Sequence, residues 1–79
     1  MQLHIQYFAL LREQRGLREE TIETSATTPN ALYAELQQQH AFTLPANRVR
    51  AAVNGDFVAP DATLKTGDAV VFIPPVAGG

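Results

Sequence analysis

Cysteine is absent from the 79 residues, and with it go disulfides, zinc–thiolate sites, thiol nucleophiles and persulfides built on the chain itself. Any sulfur this protein handles must ride on another group. Cationic charge is scarce as well: six Lys and Arg against eight Asp and Glu give a formal net charge of −2, the reverse of the surface on which phosphate-dominated nucleic-acid affinity depends. DNA and RNA are therefore not expected as partners. No apolar run approaches the roughly 20 residues of a membrane helix, and Met1 leads straight into an alternating pattern, without the basic stretch and apolar block of a secretory signal. The expected location is the cytoplasm. His4 and His40 have no companion residues at metal-ligand or acid–base spacing, so neither metal nor resident cofactor is expected, and Asp61 and Asp68 sit at turn signals.

What is present reads as one small folded domain. Hydrophobic residues make up 46% of the chain, including four Phe and two Tyr, too apolar a composition for a disordered segment. At this length a domain buries only about 60% of the surface its unfolded chain exposes, so one modest core is the limit. There are no repeats or linkers. The expected division is a folded unit over residues 1–75 and an extended tail over 76–79.

From Leu3 to Phe8 the pattern alternates, Leu3, Ile5 and Tyr7 on one face and His4, Gln6 and Phe8 on the other, which predicts a half-buried strand. Ala9–Arg15 is a run of helix formers, with Gly16 placed to end it in a left-handed conformation. A second strand is expected over Glu19–Thr24. Thr28-Pro29 reads as an N-cap and first helical position, opening a helix to about Gln39 that turns Leu32, Tyr33 and Leu36 inward and Glu35, Gln37 and Gln38 to solvent. Val49, Ala51 and Val53 alternate with Arg50 and Ala52, and Asn54-Gly55-Asp56 offers the positive φ of a tight hairpin before Phe57-Val58. A last strand lies between Gly67 and Pro74. The order strand, strand, helix, strand, short strand, strand predicts an α+β protein of the β-grasp (ubiquitin-like) type, a mixed sheet of four to five strands around one main helix. Its first and last strands should run parallel in mid-sheet.

The last strand is apolar on both faces. One helix covers one side of a sheet, so if Val70 and Phe72 meet the helix, then Val71 and Ile73 face outward near Phe8 and Phe57, an apolar patch that calls for a protein partner. The alternative is a lid made by the Phe42-Thr43-Leu44-Pro45 loop. Pro74 and Pro75 stop the sheet pairing and point the tail away. Val76, Ala77, Gly78 and Gly79 then taper to an unhindered glycine carboxylate suited to a narrow channel. A terminal carboxyl has a pKa of about 3.3–3.7; ionised in the cell, it is a poor electrophile until ATP converts it to an acyl-adenylate.

Four segments, Tyr7–Glu13, Ala51–Asn54, Leu64–Val70 and Phe72–Gly79, together resemble the small, sulfur-carrier subunits of molybdopterin synthase (the MoaD family), ubiquitin-like sulfur carriers. The Pro-Pro-Val-x-Gly-Gly ending is the specific part of that resemblance, and it spans essentially the whole chain. It implies a non-catalytic subunit of a transferase complex. Gly79, beside Gly78, would be adenylated by an ATP-consuming, ubiquitin-activating-like (MoeB-like) adenylyltransferase and converted to a thiocarboxylate. The charged tail would enter the active site of the large (MoaE-like) subunit within a heterotetramer and give sulfur to cyclic pyranopterin monophosphate in molybdenum cofactor biosynthesis. By the family pattern, partner contacts fall on Phe8, Arg12, Phe57, Val71, Ile73, Pro74, Pro75, Val76 and Ala77.

Three other readings share parts of this pattern. A ThiS-like carrier for thiamine thiazole synthesis has the same fold and terminal chemistry, but Pro74-Pro75 before Val76 disfavours it. A ubiquitin-type modifier would join its terminus to lysines; Lys65 is the only lysine here, which leaves one site for lysine-linked chains. The third is an interaction module with an inert tail.

Overall fold

The structure, a computed structural model, describes residues 1–75. The residues of the expected tail lie outside that range. Five strands form one sheet in the order β2-β1-β5-β3-β4, with β1 (Gln2–Tyr7), β2 (Glu19–Glu23), β3 (Arg50–Val53), β4 (Asp56–Val58) and β5 (Ala69–Ile73). β1 and β5 pair in parallel at the centre, and the other three pairings are antiparallel. This is the β-grasp arrangement expected from the order of elements.

Short-range chemistry places each turn. α1 (Ala9–Arg15) ends at Gly16, whose φ of 80° lets its N–H reach the Arg12 carbonyl. α2 (Pro29–His40) starts where the Thr28 side chain accepts from the Ala31 N–H, with Pro29 in the first turn. Asn54 and Gly55, at φ 52° and 94°, make the two-residue turn between β3 and β4. Asn54 also ties that turn to the start of β5: its side chain donates to Asp68 Oδ1 and accepts from the Ala69 N–H, both at 3.0 Å. Asp68 in turn accepts from the Lys65 N–H at 2.8 Å, and this bond, followed by the Asn54 amide, holds its carboxyl below the usual range.

The core lies between the inner sheet face and α2. Leu3, Ile5, Tyr7, Val70 and Phe72 meet Leu32, Tyr33 and Leu36, with Leu11, Phe42 and Leu64 closing the edges. Tyr33 stands edge-on to Phe72 at 5.3 Å and lies against Phe42 at 5.9 Å, separations at which aromatic pairs add to plain burial.

Several local expectations change. β1 stops at Tyr7, and Phe8 becomes the N-cap residue of α1, so it leaves the sheet instead of sitting on its outer face. Ala52 points outward yet is nearly covered, because Phe57 and Val71 flank it in register. Glu35 and Gln37, expected in solvent, are half-buried: Thr24 Oγ1 donates to Glu35 at 2.7 Å, and Gln37 donates to the Leu44 carbonyl at 3.0 Å.

Candidate functional site

Parallel pairing of β1 and β5 sends both strands toward the same end of the sheet, where Tyr7 lies opposite Phe72. The residues that follow each strand therefore emerge together. Phe8, Ala9 and Leu10 on one side and Ile73, Pro74 and Pro75 on the other line an apolar groove of about 440 Å³, with Leu44 completing it. Phe8 is 45% exposed and Leu10 37%, high for large apolar side chains beside one another. Ala9 adopts φ 50° as the chain swings from β1 into α1, a left-handed conformation costing a residue with a Cβ about 1–2 kcal/mol.

The outer sheet face carries a second apolar element. One row across it runs Phe57, Ala52, Val71 and Gln6 in register. Phe57 is 57% exposed, and the Arg50 guanidinium lies 4.3 Å from its ring centroid, within cation–π range. Ile73, two residues beyond Val71 on the same face and opposite Arg50 in the β3–β5 ladder, lines the groove, so row and groove adjoin there.

Of the residues assigned to partner contact, Phe8, Ile73, Pro74 and Pro75 come together in the groove, while Val71 and Phe57 share the adjoining row. Arg12 is exposed on α1 and does not line the groove. Val76, Ala77, Gly78 and Gly79 lie outside the described residues. The 42–45 loop is not a lid over Val71: Phe42 enters the core, and Leu44 forms one wall of the groove. Ala9, Leu10 and Arg50 were given no contact role from sequence, and Leu44 entered only as part of the lid loop. Leu10 was within reach, since burying Leu11 on a short helix turns its neighbour about 100° away.

A polar cluster lies at the C-terminal end of α1, the helix that carries Leu10. Arg15 grips Glu20 with two hydrogen bonds of 2.7 and 2.8 Å, and the Tyr7 hydroxyl donates to the same carboxylate at 2.7 Å. The Arg15 bond holds the Glu20 carboxyl below the usual range against the opposing effect of burial, and burial, reinforced by Glu20, pushes the Tyr7 phenol up. His40, ring centroid 5.7 Å from that of Phe42, is held below the ordinary histidine value by burial first and by Arg15 second. The cluster fastens the C-terminal end of α1 to β2.

A second hollow of about 350 Å³, rimmed by Asn30, Asn47 and Arg50 over Tyr33 and Phe72, contains none of the expected contact residues. Among the described residues no group of three or more His, Asp or Glu side chains is arranged to hold a metal ion, and no helix is long and apolar enough to cross a membrane.

Comparison with known proteins places this architecture. The sequence model described as the ThiS family matches residues 5–79. A Mycobacterium tuberculosis protein named molybdopterin synthase sulfur carrier subunit is 39% identical, the match covering 100% of this chain and 99% of the relative. Among solved structures, a Pyrococcus furiosus protein assigned as molybdopterin converting factor subunit 1 superposes with a TM-score of 0.78 at 32% identity, over 95% of this chain and 98% of that one. A chain from the Helicobacter pylori complex of molybdopterin-converting factor subunits 1 and 2 gives 0.68 at 24% identity, with both chains covered in full, and so shares the fold. On its sequence and its fold, the chain belongs to the ThiS family, among the molybdopterin synthase sulfur carrier subunits.

Proposed function

We propose that this protein is the sulfur-carrier subunit of molybdopterin synthase in molybdenum cofactor biosynthesis, docking on the large subunit through the groove at Phe8 and Ile73–Pro75 and the adjoining Phe57–Val71 row. Gly79 is the cargo site. Its carboxylate attacks the α-phosphorus of ATP on a separate adenylyltransferase, releasing pyrophosphate and forming an acyl-adenylate. A sulfur donor then displaces AMP, leaving a thiocarboxylate. In the large subunit's active site that thiocarboxylate gives its sulfur to cyclic pyranopterin monophosphate and returns to a carboxylate with oxygen from water. The protein supplies position and cargo, while the partners supply catalysis; these ATP-dependent steps belong to the cytoplasm.

One observation carries this reading: the exposed apolar groove sits at the foot of the segment that leads to the two glycines. Four residues follow Pro75, a contour of at most about 14 Å at 3.3–3.6 Å per residue. An enzyme acting on Gly79 must therefore bring its active site close to the groove, and its surface covers Phe8 and Ile73 as it does so. The missing cysteine fits as well, since a thiocarboxylate needs none. The relatives named molybdopterin synthase sulfur carrier subunits point the same way, and the Helicobacter pylori complex pairs a protein of this fold with a second subunit.

Deletion of Gly79 is the direct test. The shortened chain should fold and still be captured by the large subunit, yet support no molybdopterin formation in a reconstituted assay. Molybdopterin formation with the shortened chain would overturn the assignment.

A further inference from the structure

The two walls of the groove come from different parts of the chain. Leu10 stands on α1 and Leu44 on the loop after α2, and among the described residues a single side chain ties these segments by hydrogen bonds. Gln14 Nε2 donates to Thr43 Oγ1 at 2.9 Å, and the Thr43 N–H donates back to Gln14 Oε1 at 3.1 Å. Each segment is otherwise anchored separately. The Leu44 carbonyl accepts from the Tyr33 hydroxyl at 2.8 Å and from Gln37 at 3.0 Å, both on α2. α1 is held by buried Leu11 and by the Arg15–Glu20 pair. The Gln14–Thr43 clasp is thus unnecessary for either anchor, and it spans the gap whose width the groove depends on.

We propose that Gln14 is a positioning residue for partner docking, which sets the separation of Leu10 and Leu44 by clasping Thr43 in a two-way hydrogen bond. The inference rests on the docking role of the groove. The clasp is solvent-exposed, so losing it strands no buried group and leaves the core alone. What it removes is preorganisation of the gap: an apolar partner side chain entering the groove must then fix a spacing between the two walls that the clasp had already set.

The test measures binding of the full chain to the large synthase subunit by calorimetry, with thermal melts alongside. Gln14→Ala should weaken binding roughly three- to tenfold, the size of one or two net hydrogen bonds, with little change in melting midpoint. Thr43→Val should also weaken it, whereas Thr43→Ser, which keeps the hydroxyl, should bind as the parent does. In a Leu44→Ala background Gln14→Ala should have no further effect, because the wall it positions is gone. An equal loss in both backgrounds, or no loss in either, overturns the role of Gln14 while leaving the groove as the docking surface. Should Phe8→Asp bind like the parent, the docking reading and this inference fall together.

Discussion

Tyr7 and Phe72 stand side by side in the parallel ladder of β1 and β5 although they come from opposite ends of the chain. Both side chains are buried, and the residue that follows each in the chain, Phe8 or Ile73, lines the groove. The central pairing of the fold therefore also builds the proposed docking groove. A one-residue slip between β1 and β5 would turn the core face outward and dismantle the groove with it, so groove and core share one register.

Phe8 should separate docking from stability. Being 45% exposed, it can be replaced by Ala at a cost in unfolding free energy of about 1–1.5 kcal/mol, roughly half of what full burial of a ring contributes. Binding to the large subunit should weaken by about 2 kcal/mol or more, as is usual for an aromatic anchor. Calorimetry with a parallel urea titration reads both quantities. Unchanged affinity would remove Phe8 from the interface.

Phe57 tests whether the docking surface extends along the outer sheet face. Phe57→Ala deletes an exposed ring and the Arg50 cation–π contact at 4.3 Å, worth about 0.5–1 kcal/mol at an exposed site. The domain should lose no more stability than that, while affinity for the large subunit falls. If affinity holds, the interface is confined to the groove.

Asn54 does two jobs that two substitutions can divide. Asn54→Gly keeps the left-handed turn and loses only the bonds to Asp68 and Ala69, at a cost of about 1–2 kcal/mol. Asn54→Ala loses those bonds and adds the left-handed penalty of about 1–2 kcal/mol. Urea denaturation should rank the parent above Asn54→Gly and Asn54→Gly above Asn54→Ala. Equal losses would show that the side-chain bonds alone matter.

Acid should destabilise the domain in two stages. Burial favours neutral His40, so its folded pKa lies below the unfolded value of about 6.5; that contribution is whole above this value and fades as pH falls beneath it. Glu20, held below the usual carboxylate range by Arg15, contributes stability that is complete above about pH 4.3 and is lost as pH falls through its folded value. In both cases the unfolded chain binds more protons, so stability rises with pH. Glu20→Gln should flatten the lower stage and His40→Gln the upper, read by urea midpoints at about pH 7, 5.5, 4 and 3. A parent midpoint that stays constant over this range contradicts the assignment.

Much of the fold was legible because local signals agreed with one another. Alternation at Leu3, Ile5 and Tyr7, the Thr28-Pro29 cap, Gly16 and the Asn54-Gly55 turn each reported short-range chemistry that tertiary packing left intact. The outward apolar pair Val71 and Ile73 was legible by elimination, since Val70 and Phe72 fill the face toward the helix. What escaped depended on contacts distant in sequence. Leu44 and Gln37 matter because the loop after α2 comes to rest against α1, and Arg15 matters because β2 brings Glu20 beneath it. Phe8 continued the alternation of β1, so periodicity put it on the sheet; the backbone turn at Ala9 sent it into the groove instead.

The sharpest single measurement is intact-protein mass spectrometry after incubation with the activating adenylyltransferase, ATP and a sulfur source. The mass should rise by the exchange of one oxygen for sulfur, located by fragmentation at Gly79, and fall back once the large subunit and cyclic pyranopterin monophosphate are added. A carboxylate still unaltered after the adenylyltransferase, ATP and the sulfur source have acted, before the large subunit is added, would contradict the role of cargo carrier.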